Sequence, residues 1–377
     1  MSCSNLDDYR ALYPVTQTKA WLNNASMGTL SAPVTDALNA YLRRHAEGEI
    51  SIEHDLDLVA TARAAAARFI NAKPAEIAFT KNVADALNIV AQGIDWQVGD
   101  EVIIADQEFP ANVFPWMHLR SRGVIVRQVR SDGSRVPFER VVEAITERTR
   151  LVSLSWIEFS TGFRNDLKAI ADACHACGAL FCVDGIQGVG ALPLDVRETG
   201  IDMMATSSHK WLLAPTGVGW LYLREELIDQ IAVNWPGQSS FTRGKSLDYL
   251  DFDLPFWPDA RRYEPGILNY TGLVGLTAAI ELFEKVGMDR VAGQIRKVTD
   301  YAVEGLRSAG LELISSRNSE DWSGVVSFRV PGQDPADVHR RLGEQGVVIS
   351  LRGDILRISP HFYNNESDID RFLAALV

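Results

Sequence analysis

Seven short apolar runs mark the first two thirds of the chain: Ile77-Ala-Phe-Thr, Glu101-Val-Ile-Ile-Ala, Val124-Ile-Val-Arg-Gln-Val, Leu151-Val-Ser-Leu-Ser, Leu180-Phe-Cys-Val-Asp, Met203-Met-Ala-Thr and Gly219-Trp-Leu-Tyr-Leu. Runs this short, nearly continuous rather than alternating, predict strands buried on both faces. Between most of them apolar positions recur at helical spacing, as at 84–92, 137–145 and 167–177. Strand–helix alternation predicts an α/β architecture, a mostly parallel seven-stranded sheet with helices on both faces. Ligands are then expected at the carboxyl ends of the strands.

Two helical segments, 32–44 and the alanine-rich 56–70, precede this core. After Pro258 the pattern changes. Helices are predicted at 272–286 and 291–309, two strand-like pieces (Gly324-Val-Val-Ser-Phe-Arg and Ile355-Leu-Arg-Ile-Ser) flank a helix at 335–345, and a last helix closes the chain. This is the pattern of a smaller C-terminal α+β domain. At 377 residues the chain exceeds what one hydrophobic core usually holds. The Pro-rich, aromatic segment Asp253-Leu-Pro-Phe-Trp-Pro-Asp divides a large domain, 14–256, from a small one, 257–377.

Composition narrows the function classes. With 37 basic against 49 acidic side chains and no basic cluster beyond pairs such as Arg261-Arg262, a nucleic-acid partner is not expected. The first residues lack a basic stretch followed by an apolar one, and no apolar run is long enough to cross a bilayer, so a cytoplasmic location and no membrane partner are expected. Three of the four cysteines, Cys174, Cys177 and Cys182, fall in one helix–strand unit. Cys174-His-Ala-Cys177 looks like half of a zinc motif, but no second pair completes it. These cysteines read as small core hydrophobes, and no metal site is expected.

The chemistry concentrates in Cys182-Val-Asp-Gly-Ile-Gln-Gly-Val-Gly and, one helix and strand later, Thr206-Ser-Ser-His-Lys-Trp. A lone lysine is most often a solvated surface charge. Here Lys210 sits between a polar turn and Trp211-Leu-Leu, where desolvation favours the neutral, nucleophilic amine. An acid ending an apolar strand, with such a lysine in the same α/β unit, is the pairing that pyridoxal phosphate requires. Lys210 forms the Schiff base and Asp184 keeps the pyridine nitrogen protonated. Ser207 and His209 are donors for the phosphate, Gln187 for the ring hydroxyl. Thr80-Lys-Asn-Val-Ala opens a helix after a strand, so the amides of Val83 and Ala84 are further phosphate donors. Phe109, at the end of another strand, is placed to stack on the coenzyme ring.

Together these motifs resemble the class V aminotransferase family of the type I pyridoxal phosphate-dependent transferase fold. That group includes cysteine desulfurases, kynureninase and isopenicillin N epimerase-like proteins. The resemblance runs from Trp21-Leu-Asn-Asn-Ala-Ser to Leu356-Arg-Ile-Ser-Pro-His-Phe-Tyr-Asn, nearly the whole chain. It implies that Lys210 is the Schiff-base lysine and that Arg357, with Ser26, binds the substrate carboxylate. It implies phosphate contacts from Ser207, His209 and Asn269. Arg262-Tyr-Glu-Pro-Gly-Ile-Leu-Asn-Tyr resembles a segment that reaches a neighbouring subunit, which implies a homodimer with a shared active site.

Departures from the family pattern bear on the reaction. Phe109 stands where desulfurases carry a histidine, and Ser350-Leu-Arg-Gly-Asp-Ile-Leu-Arg contains no nucleophilic cysteine. Ala84 and Ile267 replace two phosphate-site threonines. The expectation is an aminotransferase acting on a small amino acid, with a lyase (β-elimination) or an epimerase as alternatives and no desulfurase activity. A catalytically silent coenzyme-binding protein has no chemical need for Lys210, Asp184 and Arg357 together. Arg164, Trp235, Arg243, Arg352 and His361 are candidates for either pocket or surface.

Overall fold

Seven strands form one sheet: β1 (Ile77–Thr80), β2 (Glu101–Ala105), β3 (Ile125–Val129), β4 (Thr149–Ser155), β5 (Leu180–Asp184), β6 (Met203–Ser207) and β7 (Gly219–Leu223), in the order β1-β7-β6-β5-β4-β2-β3. All neighbours are parallel except β7, which runs antiparallel to both β1 and β6. The connection from Ser208 to Val218 is too short for a crossover helix, so β7 must return antiparallel. The structure, a computed structural model, describes residues 5–49, 51–242 and 250–376. Cys3 and Arg243 lie outside the described residues.

Every residue of β1, β2, β6 and β7 is buried, whereas β3 at the sheet edge is largely exposed. The pleat sends alternate side chains to opposite faces. Ile103, Val152, Leu154, Phe181 and Met204 thus enter one core, and Val102, Ile104, Leu151, Cys182 and Met203 the other. The near-continuous apolar runs of the sequence follow from this double burial. Among the described residues no helix is long and apolar enough to cross a membrane.

The C-terminal part carries an antiparallel sheet of β8 (Glu312–Leu313), β9 (Val326–Arg329), β10 (Ser350–Arg352) and β11 (Ile355–Ile358), in the order β10-β11-β9-β8. Its core of Val326, Phe328, Leu356 and Phe372 also takes in Ala20 and Leu22 from the start of the chain. Ala20–Trp21 pairs in parallel with Val347–Val348. The loop after Leu22, which holds Ser26, is therefore brought beside Arg357 on β11. Gly28 continues that loop: its N–H donates to the His209 carbonyl at 2.8 Å. A Cβ at Gly28 would lie 2.1 Å from the Lys210 carbonyl oxygen, so only glycine lets the two segments approach this closely.

Candidate active site

β5 ends on Asp184 and β6 on Ser207, and the turn beyond β6 carries Lys210. The turn closes with Leu213 in the left-handed region, φ 51°, its N–H donating to the Lys210 carbonyl at 3.1 Å. A branched side chain accepts this conformation only where surrounding contacts hold it. Asp184 is 2% exposed and accepts the Ile186 N–H at 3.0 Å. Burial drives its carboxyl up to about 6, while the Ile186 bond and the nearby Lys210 charge lower it. Lys210 is 8% exposed. Burial brings its ammonium down to about 8, against the attraction of Asp184 and with the repulsion of Arg357 and Arg352. Such an amine is partly neutral near pH 7 and is a competent nucleophile and base.

Lys210 and Asp184 open onto a cavity of about 390 Å³. At one end begins the helix Val83–Gly93, capped by Asn82, whose Oδ1 accepts the Asp85 N–H at 2.9 Å. Among the described residues the amides of Val83 and Ala84 meet no acceptor, and His209 shares this cavity. A helix N-terminus with free amides attracts an anion of phosphate size. Ser207 lies beneath: its Oγ is 3.0 Å from His209 Nδ1 and donates to the Val218 carbonyl at 3.1 Å. Gln187 accepts from Trp211 Nε1 at 2.8 Å and donates to the Ala25 carbonyl at 3.0 Å, which leaves one N–H for a ligand.

At the opposite end Arg357 is 1% exposed. Its guanidinium donates to Ser350 Oγ at 3.0 Å, to Ser26 Oγ at 2.8 Å and to the Phe159 carbonyl. Arg352 donates to the same Ser26 hydroxyl at 3.1 Å. Among the described residues neither guanidinium has a carboxylate partner. Two cations sharing one neutral hydroxyl are a receptor for an anion, and a carboxylate fits the planar fork.

Asn269 lies in the segment expected to reach a neighbouring subunit, and in its own protomer it sits outside this cavity as a helix cap. It accepts the Gly272 N–H at 2.9 Å, donates to the Gly217 carbonyl at 3.2 Å, and lines a neighbouring cleft with Ile267 and Trp235. Arg164 binds the carbonyls of Ser319 and Glu320, and His361 is buried against the Trp211 carbonyl at 2.8 Å. Of the further candidates, Arg352 joins the site. Sequence reasoning missed Phe159, which lines the cavity, and the buried acids Glu108 and Glu158. The available signal was the dipeptide Glu-Phe, which occurs just past the ends of both β2 and β4.

A buried lysine of lowered basicity, an acid at a strand end and an anion-binding helix N-terminus around one cavity define a pyridoxal phosphate enzyme. The chain belongs to the class V aminotransferase family, whose profile matches residues 20–372. A probable cysteine desulfurase of Methanothermobacter thermautotrophicus is 31% identical over 387 residues, 96% of this chain and 95% of the relative. The apo cysteine desulfurase of Thermococcus onnurineus NA1 superposes with a TM-score of 0.90 at 26% identity, covering 100% of this chain and 98% of that one. A cystine C–S lyase solved with its product cysteine persulfide gives 0.88 at 27% identity, covering 97% and 98%. A lysine-to-alanine variant of that lyase was solved with glycine covalently linked to its pyridoxal phosphate. These relatives favour the lyase alternative over the expected aminotransferase.

Proposed function

We propose that the chain is a pyridoxal phosphate-dependent carbon–sulfur lyase acting on a sulfur amino acid such as cystine. One observation carries the choice: the cavity joins Lys210 to an arginine pair suited to a carboxylate, and no thiol lines its walls among the described residues. Cys174 and Cys182 are fully buried, and burial raises both thiols, Cys174 to about 12. Neither is a ready nucleophile.

The coenzyme, when bound, supplies the electron sink that labilises bonds at the substrate α-carbon. Arg357 and Ser26 hold the α-carboxylate. The amides of Val83 and Ala84 would hold the phosphate with Ser207 and His209, and the remaining Gln187 N–H would meet the ring oxygen. Asp184 would keep a proton on the ring nitrogen, with Phe109 as the apolar wall beside it. Lys210 Nζ removes the α-proton as the carbon–sulfur bond breaks, its electron pair leaving with sulfur. From cystine and water the products are pyruvate, ammonia and cysteine persulfide, so the sulfane sulfur departs on a small molecule. The chain is further read as a homodimer. Ile267 and Trp235, 78% and 68% exposed, leave an apolar cleft that a second copy covers.

The test is holoenzyme incubated separately with L-cystine, L-cysteine and L-alanine plus 2-oxo acids. Pyruvate, ammonia and free cysteine persulfide in equal amounts are expected from cystine. Alanine release with persulfide on the protein would make the chain a desulfurase. Amino transfer to a 2-oxo acid without pyruvate would make it an aminotransferase.

A further inference from the structure

The two Glu-Phe dipeptides are arranged alike. Phe109 and Phe159 line the cavity and pack edge to face, centroids 5.2 Å apart at 77°. Their preceding acids do not line it: Glu108 is 6% exposed and Glu158 fully buried. Ser155 occupies both oxygens of Glu108, its N–H donating to Oε1 at 2.6 Å and its hydroxyl to Oε2 at 2.6 Å. Glu158 Oε1 accepts from Asn165 Nδ2 at 3.1 Å, whereas its buried Oε2 meets no partner among the described residues. The titratable groups whose charge acts on the pair are acids: Asp184 on both, Asp106 on Glu158, and Glu108 on Glu158. Arg357, which reaches the residue after Glu158, is engaged with the Phe159 carbonyl.

Buried carboxyls whose charged neighbours are acids cannot all ionise, and two that repel one another electrostatically retain a proton. The hydrogen bonds say where it resides. Glu108, accepting at both oxygens, is the first of the two to become a carboxylate as pH rises. Glu158, with one oxygen bare of donors, has room for the hydrogen. We propose that Glu108 and Glu158 hold one proton between them, carried by Glu158, and act as positioning residues that fix the Phe109–Phe159 wall beside Lys210 and set the Phe159 carbonyl on which Arg357 rests.

The surrounding geometry transmits this. Ser155 stands opposite Asp184 in the β4–β5 ladder, and its carbonyl accepts Asn165 Nδ2 at 2.8 Å. Beyond Glu158, four successive carbonyls accept from the C-terminal part: Phe159 from Arg357, Ser160 from Ser327, Thr161 from Ser315 and Gly162 from Ser323. A shift of the Glu158 backbone therefore moves the support of the carboxylate-binding arginine. Burial raises Glu108 to about 7 and Glu158 well above the usual carboxyl range. The sign follows: stability present at acid pH is lost as pH rises through these raised values.

Two measurements on Glu158→Gln, Glu158→Ala and Glu108→Gln test the proposal. The first is the melting temperature of the apoprotein between about pH 5 and pH 9. Glu158→Gln should match wild type at the acid end and exceed it at the alkaline end, while Glu108→Gln, turning an amide towards the Ser155 N–H, should melt lower throughout. The second rests on the proposed function. In holoenzyme, Glu158→Ala should raise KM about tenfold or more with a smaller change in kcat, and Glu158→Gln should restore KM. Glu158→Gln melting as low as Glu158→Ala at every pH, or Glu108→Gln behaving as wild type, would overturn the proton assignment. An unchanged KM in Glu158→Ala would overturn the positioning role. If no sulfur amino acid turns over in wild type, the functional reading fails, and the melting curves still decide the shared proton.

Discussion

Lys210 Nζ lies over the ring of Phe109, 5.4 Å from its centroid. The desulfurase pattern places a histidine at this position, so an apolar face here replaces a group able to donate a proton. The ring adds to the burial that lowers the basicity of Lys210, and it leaves the lysine as the titratable base at that wall of the cavity.

Coenzyme loading should report that basicity. Only the neutral amine attacks an aldehyde, so the rate at which apoprotein binds pyridoxal phosphate, followed by visible absorbance, should rise with pH and level off above about 8. Phe109→Ala admits water and should move the midpoint upward. Lys210→Ala should give no visible band and no turnover at an unchanged fold by circular dichroism. A loading rate that keeps climbing towards pH 10.5, the ordinary lysine value, would contradict the burial argument.

Arg357 and Arg352 share the Ser26 hydroxyl, yet they should not be equal. Arg357 is buried and fixed by three partners, while Arg352 is exposed on β10. Removing a charge-assisted hydrogen bond costs about 1.5–3 kcal/mol, so Arg357→Ala should raise KM roughly 10- to 150-fold with coenzyme affinity unchanged. Arg352→Ala should have the smaller effect. Steady-state kinetics showing the reverse order would place the α-carboxylate on Arg352.

Much of this arrangement was legible in the chain. All seven strands of the sheet could be read as short apolar runs, which double burial explains for every strand but β3, largely exposed at the sheet edge, and Asp184 stood out as an acid ending one of them. What stayed hidden depends on contacts distant in sequence. The pairing of Ala20–Trp21 with Val347–Val348 brings Ser26 to Arg357, and no local pattern encodes that register. Glu108 and Glu158 went unread because acids just past strand ends are usually solvated, and nothing local marks these two as buried.

Gly28 is the narrowest point between the Ser26 loop and the Lys210 turn. In Gly28→Ala the added methyl meets the Leu213 side chain and backbone, the Lys210 carbonyl, and the carbonyl cannot yield without moving the turn. Overpacking of this kind costs about 1–3 kcal/mol. Calorimetry should find a lower melting temperature, and kcat should fall because Lys210 shifts relative to Asp184. A variant with wild-type melting and turnover would mean that the turn yields freely.

The last prediction separates carbon–sulfur lysis from persulfide transfer to the enzyme. The β10–β11 hairpin from Ser350 to Arg357, at the mouth of the site, contains no cysteine. Cys174 and Cys182 are buried with raised thiols, and Cys177, though exposed, belongs to the helix-end segment that leads into β5. A thiol that is both buried and protonated attacks sulfur slowly. Replacing all four cysteines by serine or alanine should therefore leave turnover of cystine near wild type, with a stability loss of about 1 kcal/mol for each buried site. Wild-type protein incubated with excess cystine and no reductant should carry no persulfide on Cys174 or Cys182 by mass spectrometry, while cysteine persulfide accumulates in the filtrate. A mass gain of one sulfur on any cysteine, lost together with activity in the cysteine-free variant, would assign the sulfur acceptor to the protein and refute lysis.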